Sequence, residues 1–80
     1  MDRERLQHQG RLRETELAAE RLELKARGLR DSIRMNLDPF APIEELDVEL
    51  AFQAMTELVK IVLELREARA DIAAIKKALG

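Results

Sequence analysis

Few residues in this 80-residue chain have side chains suited to catalysis, and their spacing does not assemble a reaction centre. Nucleophilic or acid–base catalysis needs a nucleophile, a base and an orienting group within one cleft. The chain has one histidine, His8, and one serine, Ser32, and no base stands near the serine in sequence. Glu4 precedes His8 by four residues, but this pair leaves two ligands of a metal site missing. We therefore predict a non-enzymatic protein without a metal or cofactor.

The acidic run Glu44-Glu45-x-Asp47-x-Glu49 is the densest group of carboxylates. It lacks the loop of alternating Asp and Asn residues, ended by glycine, that surrounds a calcium ion. Acidic residues are also favoured in the first turn of a helix, where they face the positive end of the macrodipole. We interpret the run as the beginning of a helix.

Arginines 27, 30 and 34 recur at spacings of three and four, which places them on one flank of a helix. The forked guanidinium group suits phosphate oxygens, so Arg27, Arg30 and Arg34 are the candidate anion or phosphate flank. The formal net charge of −2 gives no reason to expect a polyanionic partner, and Glu23 and Asp31 dilute the flank. Pairing with nearby carboxylates is the preferred interpretation, and a small nucleic-acid-associated regulator is the alternative function.

The elements that position these residues are long helices. A composition of 46% apolar and 38% charged residues with only two aromatics is typical of coiled coils. The only prolines, Pro39 and Pro42, stand together at mid-chain, where proline disfavours helix in the residue before it. The pattern predicts one all-α domain over 1–80: a helix over about 3–36, a connector over 37–42, and a helix over about 43–78 that begins at Pro42. Two helices of equal length joined by a short connector favour a long antiparallel, coiled-coil-like αα-hairpin.

The first helix carries two apolar stripes. One stripe has the alternating three and four spacing of a coiled-coil face: Leu12, Thr15, Ala19, Leu22, Ala26, Leu29 and Ile33. The other lies roughly opposite on the helical wheel and comprises Leu6, Leu17, Leu24 and Met35. A two-helix hairpin needs one stripe, so we predict that the second stripe is a surface for a protein partner. The alternatives are that these are ordinary exposed leucines, or that both stripes are core in an assembly of more helices.

The second helix is apolar over more than half of its circumference, which one partner helix cannot cover. A chain of this size also rarely builds a sufficient core without disulfides, metal or oligomerisation. We therefore predict a homodimer or higher homo-oligomer, a helical bundle of at least four helices. Its predicted shared core is Phe52, Met55, Val59 and Val62 from the second helix, with Leu22, Leu29 and Ile33 from the first.

Arg66 and Arg69 interrupt the apolar part of the second helix. A buried guanidinium is costly without a carboxylate beside it. The antiparallel arrangement brings this stretch near residues 8–18, so we expect Glu14 and Glu16 to be their partners. Such pairs would form a polar layer that fixes the register of the hairpin, and an anion site is the alternative.

The sequence has no cysteine and no apolar run of about 18 residues, the length that a membrane span needs. Its first residues are charged where a signal peptide would be apolar. We expect a soluble, cytoplasmic protein without a membrane partner.

Three stretches carry a resemblance to a known group: Arg11-Leu12-Arg13-Glu14-Thr15-Glu16-Leu17, the connector from Leu37 to Leu46, and Ile72-Ala73-Ala74-Ile75-Lys76-Lys77. Together they resemble small helical-hairpin proteins of Mu-like prophages. The resemblance covers most of the chain and carries no catalytic residue. It implies a phage or prophage accessory protein. The expected function is that of a structural or interaction protein, a self-associating hairpin that acts as an assembly or adaptor module.

Overall fold

The protein is a rod of two antiparallel helices. The computed structural model describes residues 3–80 and contains α1, Arg3–Asn36, and α2, Val48–Leu79. Its dimensions are 65 × 16 × 14 Å, and its radius of gyration of 18.1 Å exceeds the roughly 12 Å expected for a compact domain of this length. The prediction of an all-α antiparallel hairpin is confirmed. Met1 and Asp2, which the predicted domain includes, lie outside the described residues.

The first helix ends where the prolines predict. Leu37 N–H donates to the carbonyl of Ile33 at 2.9 Å, which is the last helical bond. Pro39 has no N–H to donate and disfavours helical angles at Asp38. The Asp38 carboxylate instead accepts the N–H of Phe40 at 2.9 Å, and its carbonyl accepts that of Ala41 at 3.2 Å. These two bonds turn the chain.

The second helix begins later than predicted. Pro42 is extended, with φ −57° and ψ 142°, so the prediction that it opens the helix is wrong. Residues Ile43–Glu45 form a single 3-10 turn, after which Leu46 is extended again. The Asp47 carboxylate accepts the N–H of Leu50 at 3.1 Å and is the N-cap of α2. An N-cap residue has non-helical angles, so the helix starts at Val48 and the predicted boundary near residue 43 is five residues early.

The two helices meet along one coiled-coil seam. On α1, each residue of the predicted seam from Leu12 to Ile33 is buried or half-buried, and Ala19 is fully covered. On α2, the facing residues recur at alternating spacings of three and four and are likewise buried or half-buried: Ala51, Ala54, Leu58, Ile61, Leu65, Ala68, Ile72, Ile75 and Leu79. Alanines recur on both sides of this seam, which lets the helices approach closely.

Polar contacts between the helices lie on the outside of the rod. At the open end, Arg5 Nη1 donates to the carbonyl of Leu79 at 3.2 Å. Nearer the connector, Lys25 Nζ lies 3.2 Å from Glu57 Oε1. Both contacts join residues that only an antiparallel hairpin brings together, and their exposure means that they stabilise the fold weakly.

Candidate interaction surface

A second apolar seam runs along α2 beside the one that faces α1. It follows the same coiled-coil spacing, shifted by one position: Val48, Phe52, Met55, Val59 and Val62. We call these five residues the outer seam. Phe52 is 73% exposed, Met55 and Val59 are about half exposed, and Val62 is half-buried. α2 therefore has two coiled-coil faces, and α1 covers only one of them.

The predicted core residues divide between the two seams. Leu22, Leu29 and Ile33 are half-buried on the seam between α1 and α2. Phe52, Met55 and Val59 are exposed on the outer seam. The hairpin thus uses three of the seven predicted residues internally and presents three others to its surroundings, while Val62 is half-buried.

A groove opens within the outer seam. It has a volume of about 240 Å³ and is lined by Met55, Leu58, Val59, Val62, Leu63 and Arg66. Five of these six side chains are apolar, and Leu63, which borders the seam, is 55% exposed. This volume leaves room for a side chain from outside.

Charge is distributed unequally between the two ends of the outer seam. The residues just before and at the start of the outer seam include four acids: Glu44, Glu45, Asp47 and Glu49. Beyond Val62 the same spacing continues into Arg66 and Arg69. The seam is therefore acidic at its start, apolar in its middle and basic at its end.

The two arginines differ from the sequence prediction. Both are exposed, so neither forms a buried polar layer. Arg69 Nη2 lies 3.6 Å from Glu23 Oε1, and no carboxylate of residues 3–80 lies within 4.0 Å of the Arg66 guanidinium. The expected pairing with Glu14 and Glu16 is wrong. Arg69 instead reaches the carboxylate of Glu23, which lies two turns nearer to the connector than Glu16.

The arginine flank of α1 is exposed but engages its own carboxylates. Arg27 Nη2 lies 3.6 Å from Glu23 Oε2, and Arg30 Nε lies 3.5 Å from Asp31 Oδ1. Arg34 borders the cavity beside the connector. Two of the three guanidinium groups thus have neighbours that compete with a phosphate.

Of the four residues predicted to form a partner surface on α1, three are exposed and one is half-buried. Leu6, Leu24 and Met35 are exposed, at 66%, 73% and 80%. Leu17 is half-buried and offers less of its side chain to a partner than the other three residues do.

The residues considered for catalysis stay apart. His8 is half-buried and lines a small groove of about 120 Å³ with Arg11, Asp71 and three apolar side chains. Ser32 is exposed on α1, far along the rod. Within residues 3–80, no three His, Cys, Asp or Glu side chains are grouped as metal ligands.

Two features escaped sequence analysis. The first is the full extent of the outer seam: the predicted shared core contained Phe52, Met55, Val59 and Val62, but neither Val48 nor Arg66, although the spacing of four and three continues through both. The second is an apolar patch at the connector, where Phe40 is 94% exposed and borders a cavity of about 700 Å³ together with Met35 and Leu37. Composition gives no signal for this patch, because exposure of a loop residue depends on the turn.

No protein-family model, curated protein or solved structure matches this chain. The resemblance to prophage hairpins therefore stays a prediction. Over the part of the chain that the structure describes, neither helix has an apolar stretch long enough to cross a membrane.

Proposed function

We propose that this chain is a non-enzymatic interaction module, a helical hairpin that associates with a second copy of itself through the outer seam of α2. The observation that carries the proposal is the exposure of that seam on a well-formed helix. Phe52, Met55 and Val59 lie in line on one face, and α1 covers none of them. Contiguous apolar surface of this kind marks interaction sites in proteins that are otherwise highly charged.

The small number of buried side chains in the hairpin supports the same proposal. Among residues 3–80, the buried side chains are Ala19, Ala51, Ile61, Ile72 and Ile75, and no large side chain is fully buried. Two of the five are alanines, which contribute little apolar area. Small proteins without disulfides or metal commonly obtain the missing stability by oligomerisation. Burial of the outer seam would supply it here.

Two copies suffice to cover the seam. Closed two-fold symmetry is the commonest form of association, because the same patch on both copies is then buried at once. Two hairpins joined in this way contain four helices, with α2 of each copy at the centre.

Leu24 and Met35, on the other side of α1, stay exposed in such an assembly and provide a surface for a different protein. The chain would then serve as an assembly or adaptor module, and the resemblance to prophage hairpins suggests a phage accessory role.

The arginine flank lends less support to the alternative function, a nucleic-acid-associated regulator. Arg27 and Arg30 contact carboxylates of their own helix. A phosphate would have to displace both, and the net charge of the chain opposes its approach.

Light scattering and sedimentation over a range of protein concentrations test the proposal. We expect a mass of twice 9.2 kDa, or a multiple of it, with high helicity. A stable helical species of 9.2 kDa would disprove self-association.

A matched pair of substitutions tests the surface. Val59→Asp places a carboxylate in the outer seam, where desolvation costs several kcal/mol, so the assembly should dissociate. Gln53→Asp adds the same charge to an exposed position of the same helix, away from the seam, and should leave the mass unchanged. Equal masses for the two variants would place the interface elsewhere.

A further inference from the structure

Phe52 and the far part of the groove along α2, from Val59 to Arg66, are complementary, yet they cannot meet within one chain. The ring of Phe52 is largely exposed, and Val62, which lines this part of the groove, is ten residues away. Ten residues of α-helix extend about 15 Å. Because a straight helix holds this separation fixed, a ring that fills the groove must come from another molecule.

The groove has the form of a coiled-coil hole. In knobs-into-holes packing, one side chain inserts among four residues of the facing helix. Val59, Val62, Leu63 and Arg66 have the required spacing of i, i+3, i+4 and i+7, and all four line the groove. Three of the four are apolar, which suits an aromatic knob.

We propose that the occupant of this groove is Phe52 of a second copy, inserted from an antiparallel α2, so that the two copies exchange their phenylalanine side chains. The inference rests on the proposed function and adds the orientation and register of the two copies. In this register Phe52 faces Val62 of the partner subunit, and Met55 faces Val59 of the partner subunit.

Orientation follows from the positions of knob and groove. When two α2 helices run antiparallel about a two-fold axis near residue 57, each Phe52 reaches the groove of the other copy. When they run parallel, each Phe52 faces its own counterpart, and each groove faces another groove. Only the antiparallel arrangement fills both grooves at once.

Charge complementarity favours the same orientation. The outer seam begins among acidic residues and continues into two arginines. The antiparallel register places Arg66 opposite Val48 of the partner subunit, between that subunit's two nearest carboxylates, Asp47 and Glu49 of the partner subunit. A parallel pair would bring acid against acid and arginine against arginine. Like charges at a desolvated interface are unfavourable.

Arg66 can also contact the incoming phenylalanine ring directly. It lines the groove, and among residues 3–80 no carboxylate occupies its guanidinium group. An incoming phenylalanine ring would lie beside this group, where a cation–π contact forms.

Other antiparallel registers match less well. Sliding one helix by seven residues in one direction sets Phe52 against Arg69 of the partner subunit. Sliding it in the other direction sets Phe52 against Met55 of the partner subunit and leaves Val62 beyond the start of that subunit's α2. Neither shift brings Phe52 to Val62 of the partner subunit, so only the register that pairs Phe52 with the groove fills it.

Cysteine cross-linking tests the orientation, since the chain has no cysteine of its own. We would prepare Phe52→Cys and Val62→Cys separately and oxidise each alone and as an equal mixture. A disulfide needs Cα atoms within about 7 Å, whereas identical positions are about 15 Å apart along the axis in the antiparallel pair. We expect covalent dimers only in the mixture, and they should contain one chain of each kind.

The remaining outcomes separate the two proposals. Covalent dimers from each variant alone would show a parallel pair and overturn the inference. A native dimer by light scattering with no cross-link in any sample would place the interface off the outer seam, which also overturns it. A native chain that sediments as a 9.2 kDa monomer would overturn the proposed function itself.

A second measurement does not depend on cross-linking. Phe52→Ala removes the knob and, as at an interface hot spot, should weaken the dimer at least about 30-fold. Phe40→Ala is the matched control, because this ring is 94% exposed at the connector and lies outside the seam. Its dimer affinity should be unchanged. Equal affinities for the two variants would contradict the knob-and-groove contact.

Discussion

Glu23 on α1 and Arg69 on α2 form an ion pair across the hairpin, with 3.6 Å between Oε1 and Nη2. The other oxygen of the same carboxylate lies 3.6 Å from Arg27, one turn further along α1. All three side chains are about half exposed. The carboxylate therefore links the two helices at the surface, in contact with solvent.

This exposure predicts a weak coupling between Glu23 and Arg69. A double-mutant cycle with Glu23→Gln and Arg69→Gln should give a coupling energy below about 1 kcal/mol, because water screens the pair. Added salt should reduce it further. Urea unfolding of the four proteins at one concentration measures it. A coupling well above this value that persists in high salt would mean that the pair is enclosed.

The free energy of unfolding should depend far more on the seam between α1 and α2 than on the second apolar stripe of α1. Ile61 is 7% exposed, so Ile61→Ala should lower the free energy of unfolding by about 2–5 kcal/mol. Leu24 is 73% exposed, and Leu24→Ala should change it by no more than about 0.5 kcal/mol. Thermal melts followed by circular dichroism compare the two. Similar losses would show that Leu24 is packed against another molecule.

The N-cap of α2 gives a prediction that distinguishes the observed start of the helix from the one expected from sequence. Asp47→Ala removes the acceptor for the N–H of Leu50 and should cost about 0.5–2 kcal/mol, while Asp47→Asn should retain most of the stability. Glu44→Ala, in the 3-10 turn before the cap, should have little effect. If Glu44→Ala were the more damaging change, the helix would begin near residue 43.

Gly28 lies inside α1, and a Cβ atom added there would meet no atom within 4 Å. Gly28→Ala should therefore raise the free energy of unfolding by up to about 1 kcal/mol, because alanine restricts the unfolded chain and favours helix. Gly28 lies on the same side of α1 as Leu24. A destabilising Gly28→Ala, seen as a lower melting temperature, would reveal a closely packed neighbour on that side.

The amino-acid sequence by itself determined the two helices and the break between them. The missing N–H of Pro39 and its effect on Asp38 act over one or two residues, so they operate before any tertiary contact forms. The spacing from Leu12 to Ile33 likewise defines a helical face without reference to a neighbour. These local signals were enough to predict an antiparallel hairpin.

The tertiary structure decided which apolar stripe meets which. Both the seam through Ile61 and the seam through Val59 have coiled-coil spacing and similar hydrophobicity, so periodicity cannot rank them. Packing against α1 selected the one with alanines, because small residues allow close approach. The start of α2 and the choice of Glu23 as partner of Arg69 also depend on where the chain lies after the turn. Such contacts join distant residues, and their geometry follows from the packing of both helices together.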